Sequence, residues 1–377
     1  MAIAAVRTHV VSEALEQPFF FSQFRYDRRT ICLVQVVDDG GQVGWGEGYG
    51  PAGPVKAGVE FLAPFILGED PLECERLWRV MHRRAFDHAR QGVLVAALSA
   101  LDVALWDLKG KLLGQPLSVL LGGRRREEVT AYATGMYFTD GPGLADRLAE
   151  EARRHRDAGF GAMKMKVGLS VDEDTVHVEA VRKAVGPDVT LMVDANHAYG
   201  RREALSLARA IESFDIRWFE EPLSPDDLDG FRWLRGQTSI PLATGECECL
   251  RAGFRRLLES GGVDVVQPDL CHAGGITETR RIVDMAETFG VEYAPHCWGS
   301  AVGLAAAVHL LATRDPIPGR LRDPEPLLEL DRTRNVFREE LAHPRLMAEG
   351  GRVRVPEGPG LGIEIDEALV ERYSVDV

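Results

Sequence analysis

The stretch AMKMKV at residues 162–167 has the pattern of a short, mostly apolar strand, and TLMVD at residues 190–194 has the same pattern. Between them, residues 172–185 show the mixed charged and apolar periodicity of an amphipathic helix. A strand, a helix and a second strand in this order form a unit whose two strands are parallel. These residues therefore predict a parallel sheet covered by helices.

The same alternation continues on both sides of this stretch. Further helices are predicted at residues 144–158, 202–213, 252–260 and 276–289. The remaining strands are predicted at residues 129–134, 217–220, 241–246, 263–269, 291–296 and 327–330, the last of them with the weakest pattern. Eight consecutive strand-and-helix units predict a closed (β/α) barrel.

Ionisable residues follow the predicted strands at regular intervals. The residues at the strand ends are Lys166, Asp194, Glu220, Glu246, Asp269 and His296, which are separated by 28, 26, 26, 23 and 27 residues. Each interval is the length of one strand-and-helix unit. Because barrel enzymes build their active sites at the C-terminal ends of the strands, these side chains are predicted to meet there.

The chain before the barrel has a different pattern. Residues 30–37 and 42–50 read as two strands joined by the turn DDGG at residues 38–41, the second strand breaking into a mobile glycine-rich loop. Residues 93–108 form a long apolar helix. The predicted fold is therefore α/β: an α+β capping domain at residues 1–125, a (β/α) barrel of the modified TIM type at residues 126–345, and a segment at residues 346–377 that returns to the capping domain.

The composition excludes several classes of function. The 377 residues carry 44 Lys and Arg against 58 Asp and Glu, a net charge of −14, so we expect no nucleic-acid partner and no anionic membrane surface. We also expect no membrane-spanning helix and no secretion signal. Six cysteines are too sparse for a disulfide framework. The expected location is the reducing cytoplasm.

Three of the strand-end residues predict a metal site. Asp194, Glu220 and Glu246 end three consecutive strands, where three uncompensated carboxylates would repel one another. An all-oxygen site of this kind suits Mg²⁺. The alternative for each residue is a helix cap or a surface salt bridge.

The other strand-end residues predict proton transfer. Lys164 and Lys166 share one face of their strand, and two neighbouring ammonium groups are expected to lower each other's pKa, which favours a neutral base. Asp269 is expected to orient His296 as a second acid–base group. Glu329, at the end of the eighth strand, is expected to donate a hydrogen bond to a substrate carboxylate as charge develops.

A competing hypothesis is a soft-metal site. It would use Cys247, Cys249, Cys271, Cys297 and His272, which lie near the same positions. No Cys-x-x-Cys pair is present, and strand alternation is expected to turn Cys247 and Cys297 away from the site. Reduced packing thiols are therefore favoured over zinc ligands.

The set of motifs resembles a known family. Lys164-x-Lys166, Asp194-x-Asn196, Glu220-Glu221-Pro222, Glu246, Asp269, His296 and Glu329 together resemble the enolase superfamily and its mandelate racemase subgroup, the mandelate racemase/muconate lactonizing enzyme family. The resemblance covers essentially the whole chain. Muconate-cycloisomerase-like members have a lysine at the position of Asp269. Glucarate-dehydratase-like members have an asparagine at the position of Glu246. Both differences favour the mandelate racemase subgroup.

The resemblance implies a mechanism and roles for these residues. Asp194, Glu220 and Glu246 would bind Mg²⁺, which stabilises an enediolate formed when the proton α to a carboxylate is removed. Lys166, with Lys164 beside it, would be the base on one face, and His296, oriented by Asp269, the acid–base group on the other, with Glu329 as electrophilic partner. Asn196 would contact the substrate. The subgroup also implies a homo-oligomer, possibly an octamer.

Within the subgroup, an acid-sugar dehydratase-like activity is favoured. The substrate would be an aldonate or aldarate, converted to a 2-keto-3-deoxy acid, with Arg25 and Tyr26 reaching it from an N-terminal lid. A racemase or epimerase of a 2-hydroxy acid would use the same two bases. A barrel that binds an acidic metabolite without turnover is the alternative outside enzymology, and the complete set of residues argues against it.

Overall fold

The computed structural model describes residues 1–315, 319, 321 and 325–376. The strands in this part of the chain are β1 (Ile3–Phe21), β2 (Phe24–Asp38), β3 (Val43–Gly48), β4 (Glu128–Thr134), β5 (Ala162–Lys166), β6 (Thr190–Asp194), β7 (Ile216–Glu220), β8 (Leu242–Thr244), β9 (Val265–Val266), β10 (Glu292–Tyr293), β11 (Leu327–Asp331), β12 (Ala342–His343), β13 (Ala348–Glu349), β14 (Arg352–Arg354) and β15 (Glu364–Ile365). The α-helices are α1 (Ala52–Leu62), α2 (Cys74–Ala85), α3 (Val93–Leu113), α4 (Leu117–Leu120), α5 (Leu144–Asp157), α6 (Val171–Val185), α7 (Arg201–Ile211), α8 (Leu228–Arg235), α9 (Leu250–Ser260), α10 (Gly275–Thr288), α11 (Ala301–Ala312), α12 (Val336–Glu339) and α13 (Glu367–Tyr373).

The first three strands form an antiparallel sheet in the order β1–β2–β3. The predicted turn between β2 and β3 is confirmed: Asp38 Oδ1 accepts hydrogen bonds from the backbone N–H groups of Gly40 (3.1 Å) and Gln42 (2.7 Å). Aspartate side chains stabilise turns by satisfying donors of this kind. The sequence pattern does not predict β1, which pairs with β2 and carries the aromatic residues to the tip of a long hairpin.

The glycines of β3 allow the helix α3 to pack directly on the strand. A Cβ atom at Gly44 would lie 2.1 Å from the carbonyl oxygen of Ala104, and one at Gly46 would lie 2.0 Å from that of Ala100. Both distances are far below van der Waals contact. The segment predicted to become a mobile loop is therefore an ordered strand as far as Gly48, and its glycines serve close packing.

The helix α3 is buried along most of its length because it lies between this sheet and the barrel. One side contacts β3, and the other contacts α10, where Asp102 Oδ2 accepts a hydrogen bond from the backbone N–H of Thr277 at 2.8 Å. Its apolar sequence therefore reflects burial within the protein. No helix in the described part of the chain is long and apolar enough to cross a membrane.

The eight predicted barrel strands are confirmed as β4 to β11. Parallel pairing runs in chain order from β4 to β10, and β11 pairs in parallel with β4. The helices α5 to α11 connect these strands one by one. A separate apolar cluster inside the barrel takes one residue from each of seven strands and one residue, Ala294, that directly follows β10: Tyr132, Ala162, Met192, Trp218, Ala243, Val265, Ala294 and Leu327. Because this layer fills the interior, polar side chains can be accommodated only above it.

Three of the barrel strands are shorter than the sequence predicts. β8 ends at Thr244, β9 at Val266 and β10 at Tyr293, so Glu246, Asp269 and His296 lie in the segments that follow the strands. Fully buried parallel strands and the apolar start of a loop have the same composition, which explains the overestimated lengths. The three residues nevertheless remain at the C-terminal end of the barrel.

The C-terminal tail contacts both parts of the molecule. Its strand β14 pairs antiparallel with the barrel strand β4. The backbone N–H of Leu361 donates to Asp107 Oδ1 in α3 at 2.8 Å, and the N–H of Val375 donates to the carbonyl of Val10 in β1 at 2.8 Å. The division of the chain at residues 125 and 345 stays a prediction.

Candidate active site

Strand alternation places ionisable side chains directly above the apolar layer of the barrel. On β5, Ala162 belongs to that layer, so Lys164 and Lys166, two and four residues later, also face inward. The same spacing of two residues relates Met192 to Asp194, Trp218 to Glu220, Ala294 to His296 and Leu327 to Glu329. All of these ionisable side chains are buried. Side-chain direction in the strands therefore collects the predicted residues in one place.

Three carboxylates meet at the ends of β6, β7 and β8. One oxygen atom each from Asp194, Glu220 and Glu246 belongs to a group whose atoms all lie within 4.8 Å of one another. Burial and the neighbouring carboxylates raise the pKa of Glu220 despite its contact with Lys164. This shift is the electrostatic cost of crowding negative charges where water does not screen them.

The backbone turns at Gly245, which precedes the third of these carboxylates. Ala243 faces into the barrel, so alternation alone would turn Glu246, three residues later, to the opposite face. Gly245 has a φ of +134°, a conformation that residues with a side chain rarely adopt. A Cβ atom there would also lie 3.0 Å from the backbone nitrogen of Gln267. Backbone conformation and available space both require glycine at this position.

Lys164 is surrounded by carboxylates. Its Nζ donates a short hydrogen bond to Glu220 and lies 2.9 Å from Glu329 Oε1 and 3.6 Å from Asp194 Oδ2. Burial lowers the pKa of Lys164, but these carboxylates outweigh burial, and its pKa lies well above the usual value. The predicted lowering by a second ammonium group is therefore wrong for Lys164, because its nearest charged neighbours are anions.

Lys166 lies between the carboxylates and an aromatic surface. Its Nζ is 2.5 Å from Asp194 Oδ2 and donates to Asn196 Oδ1 at 2.8 Å. The same atom lies 4.7 Å from the ring centroid of Phe21 and 5.3 Å from that of Tyr137. The structure thus brings the predicted Asn196 to Lys166 and places Lys166 between the carboxylates and the aromatic rings.

His296 occupies the other side of the carboxylate group. Its Nδ1 is 2.6 Å from Asp269 Oδ2, which is the predicted orienting contact, and its Nε2 is 3.6 Å from Glu246 Oε2. Burial lowers the pKa of His296, but Glu246 and the hydrogen bond to Asp269 raise it more strongly, to about 10. The two neighbouring carboxylates therefore favour the protonated, cationic form of the imidazole.

Glu329 is held as an ion by its surroundings. Its Oε1 accepts a hydrogen bond from Thr134 Oγ1 at 2.7 Å, and its Oε2 accepts one from the backbone N–H of Cys297 at 2.9 Å. Burial raises the pKa of Glu329, but Lys164 and His296 outweigh burial and lower it below the usual value. Because an ionised carboxylate donates no hydrogen bond, the predicted donor role requires that Glu329 first take up a proton.

Sequence reasoning missed two residues that hold Glu220. Gln267 Nε2 donates to Glu220 Oε2 at 2.6 Å, and Trp218 Nε1 donates to the same oxygen at 3.0 Å. A signal existed for Gln267: in the strand predicted at residues 263–269 it lies two residues before Asp269 and so shares its face. Residues of this kind orient a metal ligand and are part of a metal site.

An aromatic cover lies over the carboxylates. It consists of Phe19, Phe21, Tyr26, Tyr137 and Trp298, which come from the β1–β2 hairpin, from the segment after β4 and from the segment after His296. The rings of Tyr26 and Trp298 meet edge to face at 4.9 Å, and Trp298 Nε1 donates to the Tyr137 hydroxyl at 2.7 Å. The predicted residue Tyr26 is thus part of the cover.

The side chain of Arg25 points away from the buried carboxylates. Its Nη2 pairs with Asp140 Oδ2 at 2.9 Å, and both side chains are exposed, by 55% and 71%. The ion pair is at the protein surface, whereas the carboxylates are buried. The structure brings Arg25 to Asp140 and gives it no contact with the predicted metal or acid–base residues in the described part of the chain.

The soft-metal set considered from the sequence is not assembled. The described residues contain two groups of three or more side chains that could hold a metal, and neither includes Cys249, Cys271, Cys297 or His272. Cys249 Sγ lies 3.3 Å from His272 Nε2 as an isolated pair. Cys247 differs from the prediction: it lies with Glu246, Glu221 and His197.

The charge balance of the site fits a hard divalent cation. Three cationic groups, Lys164, Lys166 and His296, are present with five carboxylates, namely Asp194, Glu220, Glu246, Asp269 and Glu329. The excess of two negative charges in a buried space is costly unless a cation offsets it. An all-carboxylate donor set is what Mg²⁺ takes in proteins. Asp194, Glu220 and Glu246 are therefore suited to hold it.

A (β/α) barrel that carries carboxylates on three consecutive strands beneath an N-terminal α+β unit is the architecture of the enolase superfamily. Residues 4–122 match the mandelate racemase / muconate lactonizing enzyme N-terminal domain, and residues 147–369 match the enolase C-terminal domain-like family. The chain belongs to the mandelate racemase/muconate lactonizing enzyme family. The predicted family and fold class are confirmed.

Relatives with known activities are similar over nearly the full length. The D-galactarolactone cycloisomerase of Agrobacterium fabrum is 44% identical over 372 residues, 98% of each chain. The structure of the 3,6-anhydro-D-galactonate cycloisomerase from Zobellia galactanivorans covers 100% of both chains, with 46% identity and a TM-score of 0.91.

A second similar structure contains a metal ion. An L-talarate/galactarate dehydratase variant with bound Mg and L-glucarate matches 99% of this chain and 92% of its own, with 29% identity and a TM-score of 0.87. Dehydratases and cycloisomerases thus both occur among the similar proteins.

Proposed function

We propose that this protein removes the proton α to the carboxylate of a sugar acid and expels the oxygen on the β carbon. We further propose that this oxygen belongs to a ring of the substrate, so that the reaction opens the ring. The net reaction is an isomerisation, because no atom is lost.

The observation that carries the proposal is that two proton-transfer groups lie on different sides of the cluster formed by Asp194, Glu220 and Glu246. Lys166 Nζ contacts Asp194 at 2.5 Å, and His296 Nε2 faces Glu246 at 3.6 Å. A carboxylate substrate held near Asp194, Glu220 and Glu246 would therefore have a candidate base at one side and a candidate acid at the other. Removal of an α-proton followed by loss of a β-oxygen needs both.

Asp194, Glu220 and Glu246 would hold Mg²⁺ in this proposal. The cation would supply positive charge against the negative charge that develops on the substrate carboxylate as the proton leaves. Lys164, with its raised pKa, would add a permanent positive charge from the floor of the site. Asn196 would hold Lys166 in position through the hydrogen bond to its Nζ.

The group on each side of the site has one role in proton transfer. The base takes the α-proton, the C–H electrons form a carbon–carbon double bond, and the β C–O bond breaks. The protonated group on the other side gives its proton to the departing ring oxygen. The resulting enol loses its hydroxyl proton, takes up a proton at the β carbon and becomes a 2-keto-3-deoxy acid.

Two observations favour a ring substrate over an open polyol. Both cycloisomerases are more similar to this chain than the dehydratase is, at 44% and 46% identity against 29%. The cover above Lys166 is also aromatic, and the flat faces of Phe21 and Tyr137 suit the C–H surface of a compact ring.

Dehydration of an open-chain aldonate or aldarate is the second candidate, favoured by the similarity to the L-talarate/galactarate dehydratase. It requires the same two groups and differs only in the identity of the departing oxygen, which leaves as water.

The mass of the product separates the two candidates. The protein with Mg²⁺ would be incubated with 3,6-anhydro sugar acids, aldarate lactones and open-chain sugar acids, and the products read by mass spectrometry and by proton NMR in D₂O. The proposal predicts a 2-keto-3-deoxy product with the substrate's mass in H₂O from a cyclic acid. A product lighter by one water from an open-chain acid alone would support the dehydratase instead.

Two further outcomes would contradict both candidates. Inversion at the α carbon without a keto product would indicate a racemase or epimerase. Binding of the acids, seen as a thermal shift, with no exchange of the α-proton would indicate a non-catalytic binding protein.

A further inference from the structure

We propose that His197, Glu221, Glu246 and Cys247 form a second cation site, suited to a thiophilic divalent ion such as Zn²⁺. One ligand atom from each of these residues belongs to a group whose atoms all lie within 4.8 Å of one another. The set combines nitrogen, sulfur and oxygen donors, which is the ligand type of zinc and not that of Mg²⁺. The site shares Glu246 with the all-carboxylate group and is otherwise separate from it.

The distance between the sulfur and nitrogen donors fits a four-coordinate ion. Cys247 Sγ lies 3.6 Å from His197 Nε2. Bond lengths of about 2.3 Å to sulfur and 2.0 Å to nitrogen place two tetrahedral ligands ~3.5 Å apart. His197 Nε2 and Glu221 Oε2 are closer, at 2.6 Å, and would have to move apart to about 3.3 Å to bind the same ion.

Contacts outside the cluster orient two of the proposed ligands, His197 and Glu221. His197 Nδ1 faces the carbonyl oxygen of Leu223 at 3.4 Å, which leaves Nε2 directed at the cluster. Glu221 Oε1 accepts a hydrogen bond from Thr244 Oγ1 at 2.8 Å, which leaves Oε2 directed at the cluster. Histidine and carboxylate ligands of metals are commonly held by outer contacts of this type.

Glu221 gives a second reason to expect a cation. Its side chain is fully buried, and Oε2 lies 2.6 Å from His197 Nε2, which is another member of the cluster. A buried carboxylate needs a proton or a cation beside it, and a metal ion bound to both residues would meet that need. The neighbouring Cys247 is exposed, so an ion can enter from solvent without opening the barrel.

Backbone hydrogen bonds hold His197 and Glu221 next to each other. The N–H of His197 donates to the carbonyl of Glu221 at 2.9 Å, and the N–H of Glu221 donates to the carbonyl of Ala243 at 2.9 Å. His197 and Glu221 both have positive φ, of 66° and 45°. The segments after β6 and β7 are thus joined to each other, and the segment after β7 is joined to β8.

Cobalt(II) tests this site without reference to turnover. The EDTA-treated protein would first be saturated with Mg²⁺ to fill the all-oxygen group and then titrated with Co²⁺. A thiolate bound to Co²⁺ gives a near-ultraviolet charge-transfer band, which oxygen ligands do not give. We expect this band to saturate at one equivalent and to disappear when Zn²⁺ is added. A proton should be released as Cys247 binds the ion as a thiolate.

Variants identify the ligands. Cys247→Ser should abolish the band, and His197→Asn should weaken Co²⁺ binding at least about tenfold. The matched control is Cys249→Ser, which removes the thiol beside His272 and should keep the band. Thermal unfolding without metal would verify that each variant is folded.

Three results would overturn the proposal. They are the absence of a charge-transfer band in the wild-type protein at saturating Co²⁺, a band that survives Cys247→Ser, and a band that is lost only with Cys249→Ser.

Discussion

The guanidinium carbon of Arg29 lies 3.9 Å from the ring centroid of Trp298. Arg29 comes from β2 of the N-terminal hairpin, and Trp298 follows His296 by two residues. Arg29 Nη2 also pairs with Asp331 Oδ2 at 2.7 Å, where β11 ends. A single buried cation therefore connects the hairpin, the segment that carries His296 and the last strand of the barrel, which gives the aromatic cover a fixed position over the site.

We predict that Arg29→Met lowers the free energy of unfolding by about 3 kcal/mol, because it leaves part of the charge of buried Asp331 uncompensated. Arg29→Lys should restore little, since an ammonium group cannot both stack on Trp298 and form the same pair. Denaturant titration measures both. The matched control is exposed Arg28→Met, which should change stability by less than about 0.5 kcal/mol. Equal stability of the Arg28 and Arg29 variants would show that the buried pair contributes nothing.

We predict that Lys166→Ala and His296→Asn each lower kcat on the substrate by at least about 100-fold, because each removes a proton-transfer group. Exchange of the α-proton in D₂O should be lost in the variant that lacks the base and retained in the other. Exposed Lys183→Ala and His88→Asn are the matched controls and should leave kcat unchanged. Near-normal turnover by Lys166→Ala or His296→Asn would remove that residue from the mechanism.

We predict that Gly245→Ala destabilises the protein by more than about 1 kcal/mol, because alanine is strained at a φ of +134°. The displaced Glu246 should also weaken Mg²⁺ binding at least about tenfold, as when the supports of a metal ligand are lost. Calorimetric titration with Mg²⁺ measures this loss. Gly236→Ala is the control, since Gly236 has an ordinary φ of −76° at the end of α8. Unchanged Mg²⁺ affinity in Gly245→Ala would mean that Glu246 does not bind the ion.

We predict an acid-dependent loss of stability that is specific to His309. This residue is fully buried, where it accepts a hydrogen bond from the backbone N–H of Ser118 at 3.2 Å, and burial lowers its pKa to about 4. Between about pH 6.5 and pH 4 the unfolded chain binds a proton at this histidine and the folded chain does not. The contribution is therefore complete above about pH 6.5 and is lost as the pH falls.

Unfolding free energies at pH 7 and pH 5 test this prediction. The decrease between the two pH values should be smaller by roughly 2 kcal/mol in His309→Gln than in the wild-type protein. Asp102, whose pKa burial raises to about 7, changes stability in the opposite direction over this range, and comparing the two proteins removes its effect. An identical pH dependence in both proteins would contradict the assignment.

Local pattern was sufficient for the barrel. Side chains return to the same face every two residues in a strand and every 3.6 residues in a helix, and both periods can be read from a single sequence. The intervals from Lys166 to His296 then located the predicted site, because each equals one strand-and-helix unit. The sequence pattern was least informative where the strands are short. Glu246, for example, reaches the site because the backbone turn at Gly245 interrupts the alternation of side-chain direction.

The sequence by itself determined the eight-stranded barrel and the residues that meet above the apolar layer, because these follow from spacing along the chain. The family followed from the resemblance of its motifs. Only the tertiary structure decided the raised pKa of Lys164, the pairing of Arg25 with Asp140 and the approach of Cys247 to His197. Each of these depends on distances through space between residues far apart in sequence. Electrostatic interactions and metal coordination fall off with that distance, and no periodicity in the sequence reports it.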